Sequence, residues 1–202
     1  MAASAQTPEA KLGLRERKKL KTRTTIREAT YRLITDQGYD ATTVEQIAEA
    51  AEVSPSTVFR YFPTKEDIVL TDEFDPILER ELRARPADES IIDSLRHVID
   101  RSLHLALESE EPEVSRLRTR LQVEVPAVRS RMMESMSVTG QMICHVLAER
   151  TGRDAGDLEV RVYAMSVVGA LMEATMYWAE HGHEGDLRDL AVKALDTLQN
   201  GL

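Results

Sequence analysis

At 202 residues, 42% hydrophobic and only 4% aromatic, the chain is long enough to bury a core and too apolar to stay disordered. Its single cysteine, Cys144, rules out an internal disulfide, and no run approaches the roughly eighteen uncharged apolar residues of a membrane helix, so the reducing cytoplasm is the expected compartment. The net charge of −9 hides an asymmetry: nine Lys and Arg stand against Glu16 and Glu28 between Lys11 and Ile34, whereas residues 71–202 hold fifteen basic and twenty-five acidic groups, so contact with an anion falls to the first third.

Residues 1–13 are small and polar without periodicity and read as a flexible arm; "MAASAQTPEAK" has no apolar core of the signal-peptide kind. From Leu14 to about Gln37 the spacing of Ile26, Ala29, Thr30, Leu33 and Ile34 predicts a helix, closed by Gly38 as a left-handed cap. "TTVEQIAEAAE" predicts a second helix of barely two turns, with Thr43 as N-cap and Gln46 as its reciprocal partner. In "VSPSTVFRYFPTKED", Ser54 is suited to cap a third, Pro55 sits at its first position where the missing N–H costs nothing, and Pro63 ends it near Phe62. Thr64 caps the next helix, which has Glu66 and Asp67 in its first turn.

The remainder also reads as helix, with breaks at residues 75–76, 84–90, 108–113, 125–127, 151–157 and 180–186. "LEVRVYAMSVVGALMEATMYWA" is the most apolar segment and is apolar nearly all round, so it is expected to be buried on more than one face. A final amphipathic helix carries Leu187, Leu190, Ala191, Ala194, Leu195 and Leu198 on one side.

Two short helices joined by a tight turn and braced by a longer one have the sequence form of a helix-turn-helix, whose second helix enters the DNA major groove. Val53, Val58 and Phe62 have core-facing spacing and leave Pro55, Ser56 and Thr57 at the exposed N-terminal end. Those residues are small enough for close approach and carry hydroxyls for base or phosphate groups. Phe59, Arg60 and Tyr61 can reach the backbone or a thymine methyl, and Lys65, opening the next helix, can pair with a phosphate. The basic run from Arg15 through Lys19 to Arg23 is placed to follow the flanking backbone or a minor groove.

"IREATYRLITDQGYDATTVEQIAEAAEVSPSTVFRYFPTKEDIV" resembles the DNA-binding domain of the tetracycline-repressor (TetR) family of bacterial transcriptional regulators. The shared pattern is G-Y-x-x-T-T, the I-A-x-x-A turn, V-S, the aromatic pair ending in Y-F, and K-E. The resemblance implies an all-α fold with a helix-turn-helix domain over residues 14–64 and a helical-bundle ligand-binding and dimerisation domain over residues 65–202. It also implies double-stranded operator DNA as partner, a homodimer through the last two helices, and DNA-contacting positions at Thr43, Pro55, Ser56, Thr57, Phe59, Arg60, Tyr61 and Lys65. One residue departs from the pattern: Glu52 stands in the turn where the family usually has Gly.

Seven of the eight methionines lie between Met132 and Met176, and Met adapts to apolar ligands. Met132, Met136, Met165, Met172 and Met176, with Leu103, Leu107, Leu121, Val125 and Trp178, are the candidate lining of an apolar effector site, set against ordinary core packing for any one methionine. "EVPAVRSRM" together with "TVFRYFPTKEDIVLTDEFDP" resembles a branch whose C-terminal domain is that of the mycofactocin-system regulator, which implies an acyl-CoA-like effector. His181, His183 and Glu184 read as a solvated loop rather than a metal site, no cofactor is expected, and Cys144 reads as a small buried hydrophobe. The alternatives are a small helical enzyme, for which no phosphate-binding loop, nucleophile elbow or H-E-x-x-H occurs, and an architectural DNA-binding protein without an effector.

Overall fold

Helices account for all regular structure among the described residues, which are 13–70, 75–109 and 111–201 of the computed structural model, with the backbone alone described at 16, 75–77 and 106–109. In chain order they are α1 (Leu14–Gln37), α2 (Val44–Ala50), α3 (Pro55–Tyr61), α4 (Lys65–Val69), α5 (Asp75–Ala84), α6 (Ile91–Ser109), α7 (Pro112–Glu124), α8 (Pro126–Thr151), α9 (Leu158–Glu180) and α10 (Leu187–Asn200). The chain divides into two compact units after Val69. The sequence reading put that boundary after Thr64; α4 instead stays with the first unit, because Ile68 joins its core and the Tyr31 hydroxyl donates to Val69 O at 2.9 Å.

In the first unit the caps form as the residue types demand. Thr43 and Gln46 make the reciprocal box, Gln46 N donating to Thr43 Oγ1 at 3.3 Å and Thr43 N to Gln46 Oε1 at 2.9 Å. Ser54 Oγ accepts from Thr57 N at 3.2 Å with Pro55 at the first helical position. Thr64 and Asp67 form a second reciprocal pair, at 2.9 and 3.2 Å. Ile26, Ala29, Ile47, Ala48, Ala51, Val58, Phe62 and Ile68 form the core, with Val53 half-buried against it.

The second unit is a helical bundle around α9, which packs against α7, α8 and α10, while α10 also packs on α6 and α5 on both α6 and α8. Its cores join Leu82, Leu95, Val98, Val146, Val167 and Leu195 in one cluster and Ile143, Leu147, Val160 and Ala164 in another. Arg150 near the end of α8 fastens the α5–α6 connection, donating to Leu82 O, Pro86 O and Glu89 O at 3.3, 2.9 and 3.1 Å. Leu82 O and Pro86 O also accept from the backbone amides of Arg85 and Glu89, at 3.4 and 3.2 Å, so the guanidinium adds its charge to carbonyls at a helix end and in the turn after it. On α9 the expected burial on more than one face is not what the bundle shows: Val160, Ala164, Val167, Val168, Ala174 and Trp178 share a single face, and the opposite side, with Leu158, Val162 and Tyr177, stays exposed.

Glu52 adopts φ 54, one of two non-glycine residues with positive φ among those described. The turn therefore keeps the left-handed geometry that Gly would supply and places an exposed carboxylate there at a cost of about 1 kcal/mol. Glu52→Gly should leave the urea midpoint unchanged or raise it by up to about 1 kcal/mol of stability, whereas β-branched Glu52→Val should lower it by about 1–2 kcal/mol. Equilibrium denaturation of the two variants checks the strain.

Candidate nucleic-acid interface and effector helices

The candidate interface begins with α3, whose inner side is fixed by Val58 and Phe62, 0% and 1% exposed. That anchoring leaves Pro55, Ser56, Phe59 and Arg60 exposed, Phe59 at 49%, and Thr57 and Tyr61 half-buried. Ser54 Oγ lies 2.9 Å from both Ser56 Oγ and Thr57 Oγ1, so three hydroxyls form one small network at the helix N-terminus. Arg60 lies over the Tyr61 ring, its guanidinium carbon 5.4 Å from the centroid. Thr43 is exposed at the start of α2.

Arg15, Lys19 and Arg23 recur every fourth residue along one flank of α1. Arg15 and Lys19 are exposed; Arg23 is half-buried, with its guanidinium 4.5 Å from the Phe62 centroid and Nη1 donating to Tyr61 O at 3.3 Å. Arg27, one turn on, also overlies Phe62 at 5.4 Å. The structure thus ties Arg23 to the end of α3 and leaves Arg15 and Lys19 farther out.

Lys65 is placed differently from the others. Its ammonium donates to Tyr39 O at 2.9 Å and Thr42 O at 3.0 Å and sits 3.9 Å over the Tyr39 ring. The neighbouring Glu66 accepts from the Tyr39 hydroxyl at 2.6 Å. Burial by itself would raise the Glu66 carboxyl, but hydrogen bonds from Tyr39, its own backbone and Thr64, with the Lys65 charge alongside, hold it below its ordinary range. The Tyr39 phenol moves the other way, raised by burial first and then by Glu66.

The candidate effector residues are less unified. Leu121 and Trp178 are buried, and Leu103 on α6, Val125 between α7 and α8, Met132 and Met136 on α8 and Met172 and Met176 on α9 are half-buried, while the side chain of Leu107 lies outside the described residues. Leu103 packs on the cluster around Val98, and Met136 on the cluster around Ile143. Met165 differs from the others: it is 41% exposed, and its sulfur occupies the space that a Cβ on Gly140 would take at the α8–α9 seam. Trp178 is held in place, its Nε1 donating to Gly185 O at 3.2 Å and its ring edge-on to His183.

Sequence reasoning missed a buried polar line on α7: Ser115, Thr119 and Gln122, at i, i+4 and i+7. Thr119 Oγ1 lies 2.7 Å from His183 Nε2 and 3.0 Å from Ser115 O, which fastens α7 to the connection after α9. Burial, and then the charges of Arg116 and Arg120, push the His183 imidazole below its ordinary range. The 3.6-residue period would have revealed the polar line, had polar as well as apolar spacing been followed. No group of three metal-ligating side chains occurs among the described residues, and no described helix is long and apolar enough to cross a membrane.

Residues 26–71 match the family profile described as bacterial regulatory proteins of the tetR family, and residues 89–202 match the profile of the MftR C-terminal domain. The chain is a TetR-family transcriptional regulator. It is 32% identical to the HTH-type transcriptional regulator TcmR of Streptomyces glaucescens over 93% of this chain and 87% of that one. The fatty acid metabolism regulator protein of Bacillus subtilis is 24% identical over 88% of this chain and 93% of its own. Among solved structures, Thermus thermophilus FadR, a repressor in complex with lauroyl-CoA, superposes with a TM-score of 0.57 at 25% identity, covering 89% of this regulator and 94% of FadR. TetR-family regulators bind DNA as dimers, and this regulator carries the family's reading module on α2 and α3.

A carboxyl held low in the folded state contributes stability above its unfolded value and loses it as the pH falls through the folded one. Tyr39→Phe should therefore cost about 1 kcal/mol at pH 7, discounted because Glu66 is largely solvated. The gap from the parent should close as the pH drops below Glu66's ordinary value of 4.5. Denaturation curves at pH 7, 5 and 3 measure it.

Proposed function

We propose that the regulator is a cytoplasmic homodimeric repressor, released from a pseudo-palindromic operator by an apolar or acyl-type effector. The observation that carries this reading is α3 itself: a seven-residue helix bolted down by Val58 and Phe62, with Pro55, Ser56, Phe59 and Arg60 turned outward. Thr57 and Tyr61 flank that face, Thr43 adds a hydroxyl at the start of α2, and the basic flank of α1 from Arg15 to Arg23 supplies charge for the DNA backbone.

The proposed dimer surface is the bare stripe of α9 with the end of α10. Leu158, Val162 and Tyr177 are 72%, 55% and 48% exposed, and Leu198 on α10 is 44% exposed. Between them Gly169 has nothing within 4 Å of where a Cβ would stand, so a second backbone can approach closely. Exposed apolar side chains of this kind on one side of a helix are what a helix pair buries against a second copy. A dimer sets two α3 helices about 34–36 Å apart, one DNA turn.

The effector reading rests on the MftR-type C-terminal domain, on the FadR structure solved with lauroyl-CoA, and on half-buried Met132, Met136, Met172 and Met176 along α8 and α9. An effector need favour the DNA-incompetent state by only about 1–3 kcal/mol to change operator occupancy. Selection from a random DNA pool, followed by gel shifts with and without lauroyl-CoA, tests both halves. Salt-sensitive binding to one palindromic site, weakened by the acyl-CoA, is expected; sequence-independent binding would overturn the operator reading.

Val162→Glu should leave the protein folded, convert a dimer to a monomer by light scattering, and weaken operator binding by about a hundredfold or more, since a half-site alone retains little affinity. Thr57→Ala should change the recovered sequence preference at one position per half-site, by about 1–3 kcal/mol of discrimination.

A further inference from the structure

Three serines are buried among the described residues, and two of them are met. Ser94 Oγ donates to Glu89 Oε2 at 2.5 Å, and Ser115 Oγ accepts from Arg118 Nη2 at 3.4 Å. Ser102 on α6 is 8% exposed, and its hydroxyl has no hydrogen-bond partner among the described residues. A helical hydroxyl can turn to the carbonyl four residues back. Thr119, Thr151 and Thr175 of the same bundle do so, at 3.0, 2.8 and 3.0 Å, whereas Ser102 makes no such bond to Val98. A hydroxyl taken out of water and given nothing in return destabilises the fold, so its presence at this place calls for a partner.

The surroundings say what kind of partner fits. Ser102 lies one turn beyond Val98 and Ile99, which join Val167 of α9 and Ala191 and Leu195 of α10 in one apolar cluster. Leu103 beside it and Leu171 of α9 pack on that cluster too. Along α9 the stripe through Val167 and Leu171 continues to Ala174 and Trp178, both buried. An occupant of this interior is therefore mostly apolar. A serine hydroxyl both donates and accepts but carries no charge. It suits a hydroxyl or keto oxygen and cannot offset a buried carboxylate or phosphate.

We propose that the effector carries an oxygen on its apolar body, as a hydroxyl or keto group, and that the Ser102 hydroxyl receives it inside the bundle. The proposal rests on the acyl-type effector reading and sharpens it. A plain saturated chain leaves the Ser102 hydroxyl unmet, whereas an oxygenated chain supplies the missing partner. Ser102 is thereby a specificity-determining residue, which sets the order of preference among effectors of equal length.

Titration of the full chain with matched probes tests this. The probes are lauroyl-CoA and its derivatives hydroxylated near the thioester, at mid-chain and at the far end. Binding is read from the fluorescence of Trp178, the chain's single tryptophan. At least one hydroxylated probe should bind about three- to tenfold tighter than lauroyl-CoA, the return on one hydrogen bond. Ser102→Ala should bring the ratio of the two affinities to parity or below, because the probe's hydroxyl then enters an apolar site without a partner. In the effector-free protein the same substitution should leave the urea midpoint unchanged or raise it, since it removes an unmet group.

Equal or weaker binding of every hydroxylated probe by the parent protein would overturn the proposal, and that ranking needs no variant. A preference that survives Ser102→Ala would overturn it too, by placing the oxygen elsewhere. So would a lower urea midpoint in effector-free Ser102→Ala, the sign of an interior water that already satisfies the hydroxyl. If no probe binds, lauroyl-CoA included, the acyl-type effector reading itself falls and the proposal with it. A parent that binds lauroyl-CoA keeps that reading whatever becomes of Ser102.

Discussion

A helix of seven residues has no stability of its own, because nucleation costs more than two turns of hydrogen bonds return. Everything that α3 can present therefore depends on the burial of Phe62 and Val58 in the small core made by α1, α2 and α4. Both ends of the helix are braced. Ser54 and Pro55 satisfy the start, and the guanidiniums of Arg23 and Arg27 lie over the Phe62 ring at the finish. Arg23 also takes the Tyr61 carbonyl, one of the acceptors that a helix end leaves unpaired. Part of the positive charge that composition assigns to the DNA backbone thus also closes the core that carries the reading helix.

Local chemistry was legible in the sequence, and long-range chemistry was not. The caps at Thr43, Ser54 and Thr64 depend on residues three positions apart, so residue type and spacing suffice to place them. The bounds of α1 follow from Gly38 and the apolar period in the same way. The contacts that escaped notice join residues far apart: Lys65 to Tyr39 across 26 positions, and Thr119 to His183 across 64. No spacing rule reaches so far. Glu52 shows the converse. The sequence marks it as out of place, and the backbone keeps the left-handed turn all the same.

In the second unit the division of labour falls on α9. One side supplies Val160, Ala164, Val167 and Trp178 to the interior, and the other keeps Leu158, Val162 and Tyr177 in solvent. A helix apolar all round is ambiguous in sequence, because a core face and a subunit face use the same residues; only the packing of α7, α8 and α10 around it separates them. The polar groups of this unit work mainly as fasteners between elements. Arg150 secures the carbonyls between α5 and α6, and Thr119 with His183 secures the connection between α9 and α10. Each ties a connection to a helix that it does not join, α8 in the first case and α7 in the second.

Cys144 lies in the same interior, 7% exposed, with its sulfur 4.0 Å from the Val160 carbonyl across the α8–α9 seam. As the chain's single thiol it is shielded while that seam is closed and attackable when the seam parts. A thiol-specific reagent would then act as a stopwatch for the breathing of the bundle interior, in native protein that needs neither an engineered label nor a denaturant.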